Sequence, residues 1–311
     1  MFVVVTGGAG FIGSHLVDAL VAQRDEVLVI DMLAAGGTEP IQHHLDSGDV
    51  KLLTIDLLTD GWQDTLQDAR RVYHLAADPD VQKSATSPDP TIQNNILATY
   101  RVLEAMRTRG VPEIVFTSTS TVYGEAAVIP TPEDYTPLEP ISVYGASKLG
   151  CEALISAYSH SFGMRSWIFR FANIIGERSG HGVITDFIRK LKNNPDELEI
   201  LGDGRQTKSY LEVHECVEAM LYAVEHAHEP VNTFNIGSKD WIDVKTIGEI
   251  VADEMHLPRV RQRFTGGERG LVGDVPKMQL AIDRIKALGF LPRLGSKESV
   301  RIATHAMLDH R

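Results

Sequence analysis

The chain has 311 residues, room for one large domain or two smaller ones, and its 43% hydrophobic and 23% charged residues are an ordinary balance for a folded globular protein. A formal net charge of −12 argues against nucleic acid and an anionic membrane surface as partners. Two cysteines, Cys151 and Cys216, cannot build a disulfide framework, and no Cys/His spacing suggests zinc; with no signal-peptide pattern or membrane-length apolar run, a cytoplasmic location is the default expectation.

An apolar run at 2–5 ends in Thr6 and then in Gly7-Gly8-Ala9-Gly10-Phe11-Ile12-Gly13, which reads as buried strand, tight turn and helix start. Gly8, Gly10 and Gly13 fit G-x-G-x-x-G, and Gly7, Gly10 and Gly13 fit the G-x-x-G-x-x-G variant. Glycine is needed where the turn is tight, where backbone approaches a pyrophosphate, and where helix packs on strand. The phosphates then sit on N–H groups at the helix N-terminus. A second strand at 26–30 ends in Asp31, roughly twenty residues on, where a carboxylate takes the adenosine ribose hydroxyls and favours NAD over NADP. The pair His43-His44 reads as solvated surface.

Further strands are expected at 50–55, 70–75, 113–118 and 164–169, and helices at 11–23, 90–109 and 144–161. Short apolar strands alternating with helices imply a parallel sheet covered on both faces. Ile92, Ile96, Tyr100 and Leu103 share one helical stripe, with Leu97 and Met106 beside it, and are expected to be core. Beyond about residue 172 the alternation loosens: a glycine-containing loop, a helix at 183–192, a strand at 198–201, helices at 214–225 and 244–255 around a returning strand at 234–236, and helical segments at 276–288 and 296–308. The fold expected is α/β, a Rossmann-type doubly wound parallel sheet over 1–172 with returning segments around 214–240. A smaller substrate-binding region over 173–311 is partly interleaved with it.

The second chemical motif is Tyr144-Gly145-Ala146-Ser147-Lys148. Spacing of four puts Tyr144 and Lys148 on one helix face, where an ammonium beside a phenol is expected to lower the phenol's pKa. Such a tyrosine can remove a hydroxyl proton while hydride leaves the same carbon. A hydroxyl-rich run, Thr117-Ser118-Thr119-Ser120-Thr121, follows the apolar residues 114–116 at the carboxyl end of a predicted strand, where ligands bind in open α/β sheets.

With TGGAGFIGSH, Asp31, Asp56-Leu57, His74-Leu75-Ala76-Ala77, STSTVYG and YGASK in hand, the chain resembles the extended short-chain dehydrogenase/reductases, in particular the UDP-glucose (UDP-galactose) 4-epimerase branch of the NAD-dependent epimerase/dehydratases. The resemblance continues through Arg170–Gly176, GDGRQTKSYLEV and the segment 269–276. It implies NAD contacts at Gly7, Gly10, Phe11, Ile12, Gly13, Asp31, Asp56, Leu57, Ala76, Ala77, Asn95, Thr117, Tyr144, Lys148 and Phe171. It implies Tyr144 and Lys148 as the catalytic pair and Thr119 as the residue that bonds the sugar 4-hydroxyl. For the rest of a UDP-sugar it implies Asn173, Lys208 (where many members carry Arg) and Arg269 on the phosphates and Asp274 on the uridine ribose, with Met278 at a gating position. A homodimer is implied as well, through the segments 90–109 and 144–161.

Relatives diverge at the 4-keto sugar. Dehydratases of this fold carry Asp-Glu where Ser120-Thr121 stand, and a threonine hydroxyl ionises too weakly to act as a base near pH 7. Thr121 therefore favours a reaction that needs no further base, an epimerisation with NAD retained, and the resemblance implies UDP-glucose and UDP-galactose, or their N-acetyl forms, as the pair interconverted. The competing expectations are another nucleotide-sugar enzyme, a 4,6-dehydratase or 4-reductase, and a non-catalytic NAD-sensing protein.

Overall fold

A computed structural model describes residues 1–34, 36–267 and 275–309. In chain order the first half runs β1 (Phe2–Thr6), α1 (Phe11–Ala22), β2 (Glu26–Asp31), α2 (Gln42–Ser47), β3 (Val50–Thr54), β4 (Arg71–His74), α3 (Val81–Thr86), α4 (Pro88–Thr91), a π-helical stretch Ile92–Leu97, α5 (Ala98–Arg109), β5 (Glu113–Thr119), α6 (Val143–Phe162) and β6 (Arg165–Phe171). The second half adds β7 (Asn173–Ile175), α7 (Val183–Asn193), β8 (Glu197–Ile200), β9 (Thr207–Lys208), β10 (Tyr210–Glu212), α8 (Val213–His226), β11 (Val231–Ile236), β12 (Ile242–Asp243), α9 (Val244–Glu254), β13 (Arg261–Phe264), β14 (Lys277–Met278), α10 (Asp283–Leu288) and α11 (Ser296–Asp309).

Seven strands form one sheet in the order β3-β2-β1-β4-β5-β6-β11. The β1–β2, β2–β3, β1–β4 and β4–β5 pairs are all parallel. This is the Rossmann winding. The order reverses between β1 and β4, so a crevice opens beyond Thr6 and His74, where ligands bind in such sheets. The strands are β-branched and apolar because both faces are covered; Val3, Val4 and Val5 are fully buried.

Two compact units divide the chain. The first comprises Met1–Gly124, Leu138–Arg170 and Met220–Phe234, and the second Glu125–Pro137, Phe171–Ala219 and Asn235–Arg311. Each buries its own apolar core. In the first, Val4, Ile30, Val72, Ile114, Phe116 and Ile168 of the sheet pack with Val102 and Met106 of α5 and Cys151 and Ile155 of α6. In the second, α7, α9 and α11 close over β8 and β10 through Phe187, Ile188, Leu198, Val251 and Val300.

Two local expectations are corrected. The helix expected over 90–109 is interrupted by the π-helical stretch, and that extra residue per turn rotates its apolar stripe: Leu103 and Met106 are buried, but Ile92 is 38% and Tyr100 43% exposed. The helix expected over 276–288 starts only at Asp283, because Lys277 and Met278 pair in parallel with Thr207 and Lys208. His43 and His44 lie beside Asp18 on the first unit, His43 well exposed.

Candidate active site

The glycine turn after β1 has the geometry that its composition demands. Gly7 sits at φ +71°, and a Cβ there would lie 2.6 Å from the backbone nitrogen of Ala76. A Cβ on Gly13 would collide with the carbonyl oxygen of Gly7, so α1 packs against the turn backbone to backbone. Gly10 differs: the nearest atom to its Cβ position is the Gly7 oxygen at 3.3 Å, so its glycine leaves a face of backbone open. No side chain caps α1. Its first N–H groups are thus available to an anion, and the residues present fit a dinucleotide pyrophosphate. At the end of β2, Asp31 accepts from the Ala9 N–H at 3.0 Å and the Leu33 N–H at 2.8 Å. A carboxylate has about four acceptor sites, so capacity remains for a ribose diol.

Beneath this turn lies a buried polar chain. The Thr6 hydroxyl accepts from the Ala76 N–H at 3.3 Å and meets His74 Nδ1 at 2.7 Å, while His74 Nε2 meets the Thr99 hydroxyl at 3.0 Å. Burial, aided by the Lys148 charge, drives the His74 pKa down to about 3, so the ring is neutral and acts as a bridge between β1, β4 and α5. Ala76 and Ala77 follow at the carboxyl end of β4, half-buried. Asn95, in the π-helical stretch, accepts from the Asp78 N–H at 2.7 Å and donates to the Asp78 carbonyl at 3.2 Å and to Ser147 Oγ at 2.8 Å. Both its N–H donors are spent on tying 78 to α6. Asp56 accepts from the Leu58 N–H at 2.8 Å, and Leu57 is buried.

α6 starts at Val143 because Ser142 caps it, its hydroxyl accepting from the Gly145 N–H at 3.0 Å. Tyr144 is therefore in the first turn, its N–H donating to Ser84 Oγ at 3.3 Å and its carbonyl accepting from Ser147 Oγ at 2.7 Å. The Thr119 side chain is near enough to act on its phenol. Burial raises the phenol to about 12, and Thr119 opposes that rise. Lys148 lies one turn on: Nζ donates to the Thr117 carbonyl at 2.9 Å and lies 4.7 Å from the centre of the Phe116 ring. Of the groups acting on the phenol, the Thr119 side chain is the one that favours phenolate. Burial lowers Lys148 itself to about 8.

Sequence reasoning missed the ion pair behind this cluster. Glu152, one turn beyond Lys148, accepts from Arg170 Nη2 at 2.7 Å, Arg170 Nε at 3.1 Å and the Ser118 hydroxyl. Arg170 Nη1 donates to the Tyr123 hydroxyl at 2.9 Å. Glu152 and Arg170 are each 6% exposed. The signal was available: a charge inside the apolar run Trp167–Phe171 needs a partner, and Tyr144, Lys148 and Glu152 recur every fourth residue on one face.

The remaining predicted residues belong to the second unit. Phe171 ends β6 and is buried. Asn173, in β7, donates from Nδ2 to the Ser209 carbonyl at 3.1 Å. Lys208, in β9, is half-buried between Ile242 of β12 and Met278 of β14. Arg269 and Asp274 lie outside the described residues.

A Rossmann sheet with this glycine cradle and a Tyr-x-x-x-Lys helix defines a dinucleotide-dependent protein of the short-chain dehydrogenase/reductase class. The chain belongs to the NAD dependent epimerase/dehydratase family, whose profile matches residues 3–237, and its cofactor is NAD. It is 32% identical over 307 residues to a putative UDP-glucose 4-epimerase of Methanocaldococcus jannaschii, covering 96% of each chain. Among solved structures it resembles a UDP-galactose 4-epimerase with 42% identity and a TM-score of 0.89, over 100% of this chain and 99% of that one. It also resembles a UDP-glucuronic acid 4-epimerase from Bacillus cereus, solved with UDP-glucuronic acid and NAD, at 28% identity and a TM-score of 0.91 over 100% of both chains.

Proposed function

We propose that this chain is a nucleotide-sugar 4-epimerase that interconverts UDP-glucose and UDP-galactose through a transient 4-keto sugar. One observation carries the reading: the turn Thr119–Tyr123 that acts on the Tyr144 phenol presents the hydroxyls of Thr119 and Thr121, bonded to each other, and no carboxylate. Elimination of water from the 4-keto sugar needs a further base there, and a threonine hydroxyl cannot serve as one near pH 7. Relatives named as UDP-glucose and UDP-galactose 4-epimerases support this choice of sugar and nucleotide.

In this reading Tyr144 takes the proton of the sugar 4-hydroxyl and later returns it. Bound NAD supplies a reversible hydride acceptor for the carbon bearing that hydroxyl. Thr119 holds the developing oxyanion, and Lys148 fixes the Thr117 carbonyl below it and contributes positive charge. Between the two half-reactions the keto sugar turns over, so that the same groups act on its other face. Gly7, Gly10, Phe11, Ile12, Gly13, Asp31, Asp56, Leu57, Ala76, Ala77, Thr117 and Phe171 hold the dinucleotide, and Asn95 contributes chiefly by securing residue 78. Asn173, Lys208, Arg269 and Asp274 hold the diphosphate and uridine.

The chain is further proposed to act as a cytoplasmic homodimer. Ile92, Leu97 and Tyr100 are exposed on the stretch 88–109, and Ala146, Ala153 and Ala157 are exposed along α6. Among the described residues no helix is long and apolar enough to cross a membrane. Light scattering behind size exclusion reads the assembly.

The reading is tested by NMR on the purified protein, without added NAD, against UDP-galactose, UDP-N-acetylgalactosamine and UDP-glucuronic acid. Growth of UDP-glucose is expected. Conversion of the uronic acid alone would move the substrate to the class named for the Bacillus cereus structure. A released 4-keto-6-deoxy sugar would make the chain a dehydratase, stoichiometric consumption of added NADH a 4-reductase, and NAD binding without any turnover a sensing protein.

A further inference from the structure

We propose that Asp18, His43 and His44 form a site for one divalent ion of the zinc, nickel or copper class, which clamps α2 onto α1 within the first unit. The three side chains converge on one point. His44 Nε2 stands 2.8 Å, and His43 Nε2 3.4 Å, from the same oxygen, Asp18 Oδ1. One ligand atom from each of the three lies within 4.8 Å of the other two. The two rings are 3.9 Å apart between centres and tilted by 41°. Successive side chains leave a helix about 100° apart, so neighbours in sequence do not ordinarily face each other. Here both imidazoles turn the same ring nitrogen to one carboxylate. No sequence spacing marks the cluster, because Asp18 lies 26 residues before His44.

Around a tetrahedral ion with bonds of about 2.0–2.1 Å, ligand atoms stand about 3.3 Å apart. His43 and Asp18 are already at that separation, and His44 has to draw back by about half an ångström. Two imidazoles with one carboxylate select zinc, nickel or copper over magnesium and calcium, which take oxygen ligands. The His43 side chain is 56% exposed and that of His44 12%, so an ion held here keeps a position open to water. The backbone on both sides is fixed. Asp18 follows Leu16 and Val17 on α1, both fully buried. Ile41, just before α2, is fully buried, and at the far end the His44 carbonyl accepts from the Asp49 N–H at 3.0 Å while Gly48 closes the helix at φ +79°. A chain charge of −12 adds a general attraction for a cation. None of the three residues is assigned to the dinucleotide or the sugar, so the inference stands apart from the epimerase reading.

The test uses untagged, NAD-loaded protein stripped with EDTA, then titrated with zinc and with cobalt, whose visible absorption reports its ligands. One ion per chain is expected, with a cobalt band that zinc abolishes. The melting temperature is expected to rise by about 5–10 °C with zinc at about a hundred times its dissociation constant. His43→Ala, His44→Gln and Asp18→Asn should each weaken zinc binding at least about tenfold. His214→Gln removes a histidine that also meets a carboxylate, Glu212 Oε1 at 2.8 Å, but on the second unit; it is expected to bind zinc as the wild type does. Wild-type protein that takes up no zinc below millimolar concentration overturns the proposal. So does zinc bound by His43→Ala and His44→Gln as tightly as by wild type, or lost only in His214→Gln. Should His44→Gln or Asp18→Asn not fold, His43→Ala, changed at an exposed side chain, decides the matter by the same readouts.

Discussion

Replacing Glu152 by Gln is the sharpest probe of how the candidate site is held. The carboxylate sits between Arg170 and Ser118, and both members of the ion pair are 6% exposed, so solvent screens neither. Removing one partner of a buried pair leaves the other charge without compensation, typically at a cost of about 3–5 kcal/mol. The Gln carbonyl can still accept one Arg170 N–H, and Tyr123 still accepts another, so the lower end applies: about 3 kcal/mol. For units of this size that corresponds to a fall in melting temperature of roughly 6–12 °C. Because Ser118 precedes Thr119 and Lys148 lies one turn before Glu152, kcat is expected to fall at least about tenfold through misplacement of both. Glu152→Met combined with Arg170→Met removes both charges at once. With the Tyr123 hydroxyl short of its donor and the Ser118 hydroxyl short of its acceptor, it is expected to recover to within about 1–2 kcal/mol of wild type. Differential scanning calorimetry of Glu152→Gln, and of the wild type, Glu152→Met, Arg170→Met and the double variant as a closed cycle, reads these differences. A loss below about 1 kcal/mol in Glu152→Gln, or a double variant no better than the single, would refute the argument that an unpaired Arg170 sets the cost.

Three further outcomes follow from the same geometry. The Lys148 pKa falls from 10.5 to about 8 on folding, so the charged form is penalised fully below pH 8 and progressively less up to about 10.5; Lys148→Met should be more stable than wild type by about 3 kcal/mol at pH 7, the gap closing across that window in denaturant titrations. For His74, lowered from 6.5 to about 3, the unfolded chain binds the extra proton, so stability is lost as pH falls through that window; about 3 kcal/mol should be gone by pH 4 in wild type and less in His74→Gln, measured by urea unfolding against pH. Gly13→Ala drives a methyl into the Gly7 carbonyl, and protein purified with that change is expected to carry little NAD, as read by release of the cofactor after denaturation.

The sheet and its cradle were legible because each strand is a short β-branched run and each glycine has a steric reason. Gly7 and Gly13 stand where backbone meets backbone, and Asp31 ends β2 as its spacing required. What the sequence hid depends on tertiary partners. Nothing local marks the π-helical stretch, which re-aims Ile92 and Tyr100 outward while setting Asn95 between Asp78 and Ser147. β14 forms because Thr207 and Lys208 offer an edge to Lys277 and Met278, a pairing some seventy residues apart that no local pattern carries. The partner of Lys148 was hidden for a related reason: spacing of four places two side chains on one face but does not say what the longer one bonds, and the buried ammonium takes the Thr117 carbonyl.

The central claim is that hydride leaves the sugar carbon and returns to the same carbon, with Tyr144 handling only the hydroxyl proton. Running the reaction on UDP-galactose in deuterium oxide and reading the product by NMR tests it directly. The account predicts UDP-glucose with protium retained at C4, and no product from Tyr144→Phe that still holds NAD; deuterium incorporated at C4, or undiminished turnover by Tyr144→Phe, would contradict it.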